Sequence, residues 1–175
     1  MKQNVFAMAA LLALPTMAMG QDDELRERGQ EREKGEFAKF ELALSEAQVV
    51  PAIESEGRGE LTISFNDELS EVNYRLEVSD TNTAVTSAHL HCAPAGENGP
   101  VVVPLVTEGE EQNTFTSNDI TLAGEQQEAC GVPINNIASL FNAITENDIY
   151  VNVHTEAYPD GELRAQIFPE FGKSK

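Results

Sequence analysis

The chain has 175 residues, thirty of them Asp or Glu against eleven Lys or Arg, for a formal net charge of −19. A surface so acidic repels phosphate backbones and anionic lipid, which excludes general nucleic-acid and membrane-surface binding. Three His, two Cys and no Trp leave few side chains able to carry chemistry, and the length suits one domain of ordinary size.

At the N-terminus, Met1-Lys2 is a short positive segment and Val5–Leu14 is an apolar run of about ten residues, too short to cross a bilayer as a helix. Pro15 follows, then the small-x-small triplet Ala18-Met19-Gly20 ahead of Gln21. This pattern predicts an export signal over residues 1–20. The mature protein is expected to be periplasmic or secreted, with no membrane insertion after cleavage. No Cys stands at the cleavage point, which argues against a lipoprotein anchor. All four Met lie in the signal, so a metal site in the mature chain must use His, carboxylate or thiolate. Residues 21–36 are almost wholly charged and cannot bury a face, which predicts a solvated linker.

From Phe37 the apolar period is mostly two. Phe40, Leu42 and Leu44 alternate with polar or small neighbours. Leu61, Ile63 and Phe65 follow the Gly57-Arg58-Gly59 break, and Val72, Tyr74, Leu76 and Val78 follow an Asn66-Asp67 turn. Val85–His91, Val101–Val106 and Thr114–Leu122 are further strand candidates. Pro133–Asn147 places Ile134, Ile137, Phe141 and Ile144 at helical spacing, which predicts one short helix in a connection. Tyr150–His154 and Leu163–Ile167 are strands joined by Tyr158-Pro159-Asp160-Gly161, a turn in which Pro fixes φ and Gly supplies the positive φ. Seven or eight strands meandering antiparallel predict an all-β sandwich over residues 37–169, with a short tail at 170–175.

Two Cys in an exported chain predict one disulfide, Cys92–Cys130. It would close a loop of about 38 residues, worth about 4 kcal/mol in the chain-entropy description. Alternation through the strand puts Ala88, Leu90 and Cys92 on the core face, and His89 and His91 on the other with Cα atoms about 6.5–7 Å apart. Likewise Val151 and Val153 face the core while Tyr150, Asn152 and His154 face outward. All three His therefore belong to the wet faces of strands. Should those strands be neighbours, His89, His91 and His154 form a cluster suited to Cu(II) or Zn(II), with one position left for Glu162, Asp160 or water. The competing expectation is structural: the imidazoles hydrogen-bond the Gly/Pro loop and fix the sheet.

Three segments in order carry a family resemblance: Ala88-His-Leu-His-Cys-Ala-Pro-Ala-Gly-Glu-Asn-Gly-Pro-Val-Val-Val103 (with Gly96, Gly99 and Pro100), Tyr150-Val-Asn-Val-His-Thr155, and Tyr158-Pro-Asp-Gly-Glu-Leu-Arg-Ala-Gln-Ile167. Together they closely resemble the CHRD domain, named for chordin and found alone in exported bacterial proteins. Leu44–Pro51 with Gly57-x-Gly59 is similar to its first hairpin, and Ala165 stands where the family pattern usually has Gly, a small departure. The resemblance implies an extracellular, immunoglobulin-like Greek-key β-sandwich without an assigned biochemical role. Chordin's growth-factor binding is credited chiefly to Cys-rich modules that this chain lacks, so that function is not carried over. His-x-His on a sandwich strand is also similar to copper–zinc superoxide dismutase, but that enzyme needs more histidines than this chain owns.

No G-x-S-x-G elbow, H-E-x-x-H or phosphate-cradling Gly loop occurs. Ser87 beside His89 has unsuitable strand geometry for a nucleophile–base pair, and Asp160 and Glu162 are expected to shape the turn, with Arg164 as ion-pair partner. The sequence thus predicts an exported non-catalytic domain holding a metal ion, copper before zinc, for storage, buffering or delivery. The alternative is an extracellular protein–protein or matrix interaction module with structural histidines, meeting a basic or Ca²⁺-bridged extracytoplasmic partner through its acidic surface. Oligomeric state is not legible.

Overall fold

The computed structural model describes residues 35–105 and 113–169. The expected signal at 1–20, all but the last two residues of the linker at 21–36, and the tail at 170–175 lie outside the described residues.

Among the described residues, eight strands form two four-stranded antiparallel sheets, an all-β sandwich. The first sheet has the order β1-β2-β3-β6, from β1 (Glu36–Leu44), β2 (Arg58–Asn66), β3 (Glu71–Ser79) and β6 (Asn113–Thr116). The second has the order β5-β4-β7-β8, from β4 (Val85–Cys92), β5 (Val101–Leu105), β7 (Ile149–Thr155) and β8 (Leu163–Gln166). The chain crosses between sheets after β3, β5 and β6, so β7 comes to lie beside β4 although about sixty residues separate them.

The period-two pattern determines what faces what. In the first sheet Leu61 opposes Leu76, Ile63 opposes Tyr74 and Phe65 opposes Val72. The inner face of the second sheet contributes Ala88, Leu90, Val103, Val151, Val153, Leu163 and Ala165, all buried in the same core. Burying each of the Leu and Val side chains among them stabilises the fold by roughly 1.5–3 kcal/mol before chain entropy is counted. Cys92 and Cys130, both buried, sit at disulfide distance with Cα atoms 5.4 Å apart.

Two connections differ from the sequence expectation. The single helix expected over Pro133–Asn147 is α2, trimmed to Ile137–Thr145, and an unexpected short helix, α1 (Glu125–Ala129), precedes it. Asn136 caps α2: its Oδ1 accepts from Ser139 N at 2.9 Å while its own N donates to Ser139 Oγ at 3.1 Å. That reciprocal cap starts the helix at Ile137 and leaves Pro133 outside. The five residues of α1, EQQEA, carry no apolar period by which they could be read. The expected strand Thr114–Leu122 stops at Thr116, because Asp119 Oδ2 accepts from Thr116 N at 2.8 Å and turns Ser117–Asp119 into a 3₁₀ segment.

The outer face of the second sheet is largely covered, with Ser87, His89 and His154 half-buried. Residues 93–100 fold back over it: Cys92 N donates to the Pro100 carbonyl at 3.1 Å, and Asn98 Nδ2 reaches the Val50 carbonyl at 2.6 Å. The free edge of β8 is closed by Ser45, which exchanges two backbone hydrogen bonds with Arg164, and by Gln48, whose Oε1 accepts from Gln166 N. Beneath this cover the outward residues Tyr150, Asn152, Arg164 and Gln166 are all buried.

Candidate metal centre

β4 and β7 pair so that His89 lies opposite Asn152, Ser87 opposite His154 and His91 opposite Tyr150. Where β4 pairs with β5 the register shifts between Leu90 and His91, leaving Val102 of β5 as the extra residue. The three imidazoles of the chain therefore converge. Ring centroids are 5.1 Å apart for His89–His154, 5.6 Å for His89–His91 and 6.0 Å for His91–His154.

The hydrogen bonds fix which nitrogens face the centre. His91 Nδ1 lies 2.9 Å from the Gly99 carbonyl, and His154 Nδ1 lies 2.9 Å from the Pro159 carbonyl. A carbonyl only accepts, so each Nδ1 carries the proton and each Nε2 keeps its lone pair. His91 Nε2, His154 Nε2 and His89 Nδ1 are buried without a hydrogen-bond partner. These three His offer ligand atoms within 4.8 Å of one another. A copper or zinc ion about 2.0–2.1 Å from each nitrogen needs nitrogen pairs about 3.3–3.6 Å apart, a closure within reach of small side-chain rotations. Metal-ligating imidazoles almost always donate their other N–H in this manner, which orients the ring and selects the tautomer.

The fourth unpartnered buried side-chain atom among the described residues is Asn152 Oδ1, on the residue facing His89. Its Nδ2 donates to the Asp160 carbonyl at 3.1 Å. Gly161, at φ +127°, makes room for that amide: a Cβ there would stand 2.4 Å from Asn152 Oδ1.

Electrostatics favour the neutral form of His89 and His91. Burial, opposed by the Gly99 hydrogen bond and aided by the positive charges of His89, His154 and Arg164, pushes His91 down to about 4. Burial and the neighbouring His154 also lower His89. Neutral imidazoles are the form that binds metal.

The structural expectation thus describes real bonds, on Nδ1 of His91 and His154, while the remaining nitrogens form a group that could hold a metal ion. The loop and the hairpin take Nδ1 of His91 and His154, and His91 Nε2, His154 Nε2 and His89 Nδ1 are left without a hydrogen bond. Gly99 and Pro159 supply the accepting carbonyls, Pro100 and Asp160 hold the covering segments, and Gly96 turns the loop at φ +85°.

Glu162 does not complete the site. It is fully buried among groups on the core side, accepting from Ser55 Oγ at 2.6 Å, Thr155 Oγ1 at 2.6 Å and Asn82 N at 3.0 Å. Burial raises this carboxyl, but those three hydrogen bonds outweigh it and hold it below the ordinary range. Asp160 is exposed and contributes its backbone carbonyl. Arg164 pairs with neither acid. Its guanidinium lies over Tyr150, with Cζ 3.7 Å from the ring centroid, and Nη2 donates to the Glu97 carbonyl at 2.8 Å. Sequence reading did not single out Tyr150 and Arg164 as parts of the site, although both share the outward parity of the ligand strands.

The family model described as the CHRD domain matches residues 40–167. No curated protein and no solved structure matches the chain. The family match covers most of the sequence, and the chain belongs to the CHRD domain family.

Proposed function

We propose that this CHRD domain holds one metal ion, copper before zinc, on His89 Nδ1, His91 Nε2 and His154 Nε2, and that it stores, buffers or delivers that ion outside the cytoplasm without catalysis. The observation that carries the reading is the set of three unpartnered, buried imidazole nitrogens turned toward one another. A buried polar atom without a hydrogen bond costs about 1–3 kcal/mol. A sandwich that, among the described residues, leaves only Asn152 Oδ1 unpaired besides these three buried side-chain atoms has an ion as their natural partner. The Nδ1 bonds of His91 and His154 supply the outer support such a site needs.

The export reading gains support from the Cys92–Cys130 pair at disulfide distance, which suits an oxidising compartment. The ligand set is neutral, and the fourth position is left to water or to an exchange partner, as delivery requires.

The test is metal retention by the stripped, purified protein after separate dialyses against Cu(I), Cu(II) and Zn(II), beside His89→Ala, His91→Ala and His154→Ala. One tightly held equivalent is expected, with each variant folded and at least tenfold weaker. Unchanged affinity in all three variants would overturn the reading. It would leave the histidines structural and the acidic surface, as a protein-interaction face, the better account.

A further inference from the structure

The centre has a fixed positive charge behind it. Arg164 is 2% exposed, and its guanidinium donates to the Glu97 carbonyl at 2.8 Å, Asn98 Oδ1 at 3.3 Å and Gln166 Oε1 at 3.4 Å. All three acceptors are neutral. In a chain with thirty acids and eleven cations a carboxylate partner was easily supplied, yet Glu162 turns to the opposite side of the sheet. A buried ion without an opposite charge is costly, and such a cost is retained where the charge acts on something.

What it faces is one stacked ring away. Tyr150 lies under the guanidinium and stacks on His91 with centroids 5.0 Å apart and planes at 14°. Because β7 lies between β4 and β8, His91 flanks Tyr150 from one strand and Arg164 from the other. The stack is pinned at Gly99, whose N–H donates to Tyr150 Oη at 3.0 Å and whose carbonyl accepts from His91. Three neutral imidazoles bring no negative charge, and among the described residues no carboxylate joins the cluster. A bound ion therefore keeps its full charge in a partly desolvated site. Coulomb repulsion from Arg164 then acts twice as strongly on a divalent ion as on a monovalent one.

We propose that Arg164, held on Tyr150, sets the charge state that the three-His centre accepts, favouring Cu(I) over Cu(II) and Zn(II). The proposal rests on the three-His reading above and names the ion within it. Arg164 touches no ligand atom; it acts through space and through the position of His91.

The experiment measures Cu(I) and Cu(II) affinities of the purified full chain by competition with chelators specific for each state, in wild type, Arg164→Met and Arg164→Lys, with circular dichroism as the check on folding. Wild type is expected to bind Cu(I) the more tightly. In Arg164→Met the ratio of Cu(I) to Cu(II) affinity is expected to fall at least tenfold, equivalent to a potential lowered by 59 mV for one electron, and Arg164→Lys is expected to restore most of it. A ratio moved less than threefold in Arg164→Met, or lowered equally in Arg164→Lys, overturns the proposal while leaving the metal site standing. Should Arg164→Met not fold, wild type alone decides: tighter binding of Cu(II) than Cu(I) overturns it. Absence of any retained metal in wild type overturns the three-His reading itself, and this proposal with it.

Discussion

The two sheets solve the same burial problem in opposite ways. In β2 and β3 of the first sheet the burial alternates, Leu61, Ile63, Phe65, Val72 and Tyr74 inward, with Glu60, Thr62, Arg75 and Glu77 facing solvent or nearly so. Its outer face carries the ion pairs Lys39–Glu41 and Arg75–Glu77, all four side chains substantially exposed. In the second sheet β8 is buried at every residue and β7 at all but His154, although the outward positions are Tyr, Asn, His, Arg and Gln. A wet polar face tolerates unpaired groups because water satisfies them. A covered polar face must satisfy them internally, so an unpaired atom there is informative. This is why three unpartnered imidazole nitrogens point to a ligand, whereas exposed polar groups on the first sheet do not.

The comparison can be broken most sharply at the cover. A Cβ on Gly99 would stand 1.8 Å from the Cys92 carbonyl oxygen and 2.8 Å from its carbon. Both are backbone atoms held by strand pairing to Ile149 and by the bond to Pro100. Gly99→Ala is therefore expected to displace the loop, costing about 3 kcal/mol or more, with loss of metal retention; urea unfolding measures the first and dialysis the second. A fully stable variant would show that the loop is not a fixed part of the site.

Acid tests the covered face next. His91 titrates near 4 in the folded protein, against 6.5 for an ordinary His. Between those values the unfolded chain binds the extra proton and the folded chain does not. Stability of the metal-free protein is therefore full above about pH 6.5 and falls as pH drops toward 4, by on the order of 3 kcal/mol. Denaturant midpoints at pH 7.5, 5.5 and 4.5 read this directly, and a flat profile would mean that His91 is not held neutral by burial. The smallest effect is expected on the other sheet. Arg75→Ala removes an exposed ion pair and should shift the melting temperature by at most about 2 °C; a larger shift would show that the wet face carries more than its exposure implies.

Much of the sandwich was legible because a strand writes its two faces into alternate residues. Leu61, Ile63 and Phe65, and Val151 with Val153, take the core positions that the period assigns. The grouping of His89 with His91 is equally local, two residues apart on one strand. The reading of their face as wet was not sound, since exposure depends on what covers the strand. Here the cover is the loop at residues 93–100 and the turn at Ser45–Gln48, neither of which leaves a trace in the strand's own pattern. For the same reason Arg164 was assigned to acids near it in sequence, whereas its contacts are Glu97, Asn98 and Tyr150.

Local chemistry in the sequence determined the strands, the Pro-Asp-Gly turn, the pairing of two imidazoles on one face and the family to which the chain belongs. Tertiary structure alone decided that β7 lies beside β4 and brings His154 to His89 and His91, that Glu162 turns away, and that a buried cation stands behind Tyr150. The division has a physical cause. Side-chain parity is a property of the backbone over two residues, while strand neighbours, covering loops and unpaired charges arise from packing segments far apart in the chain against one core.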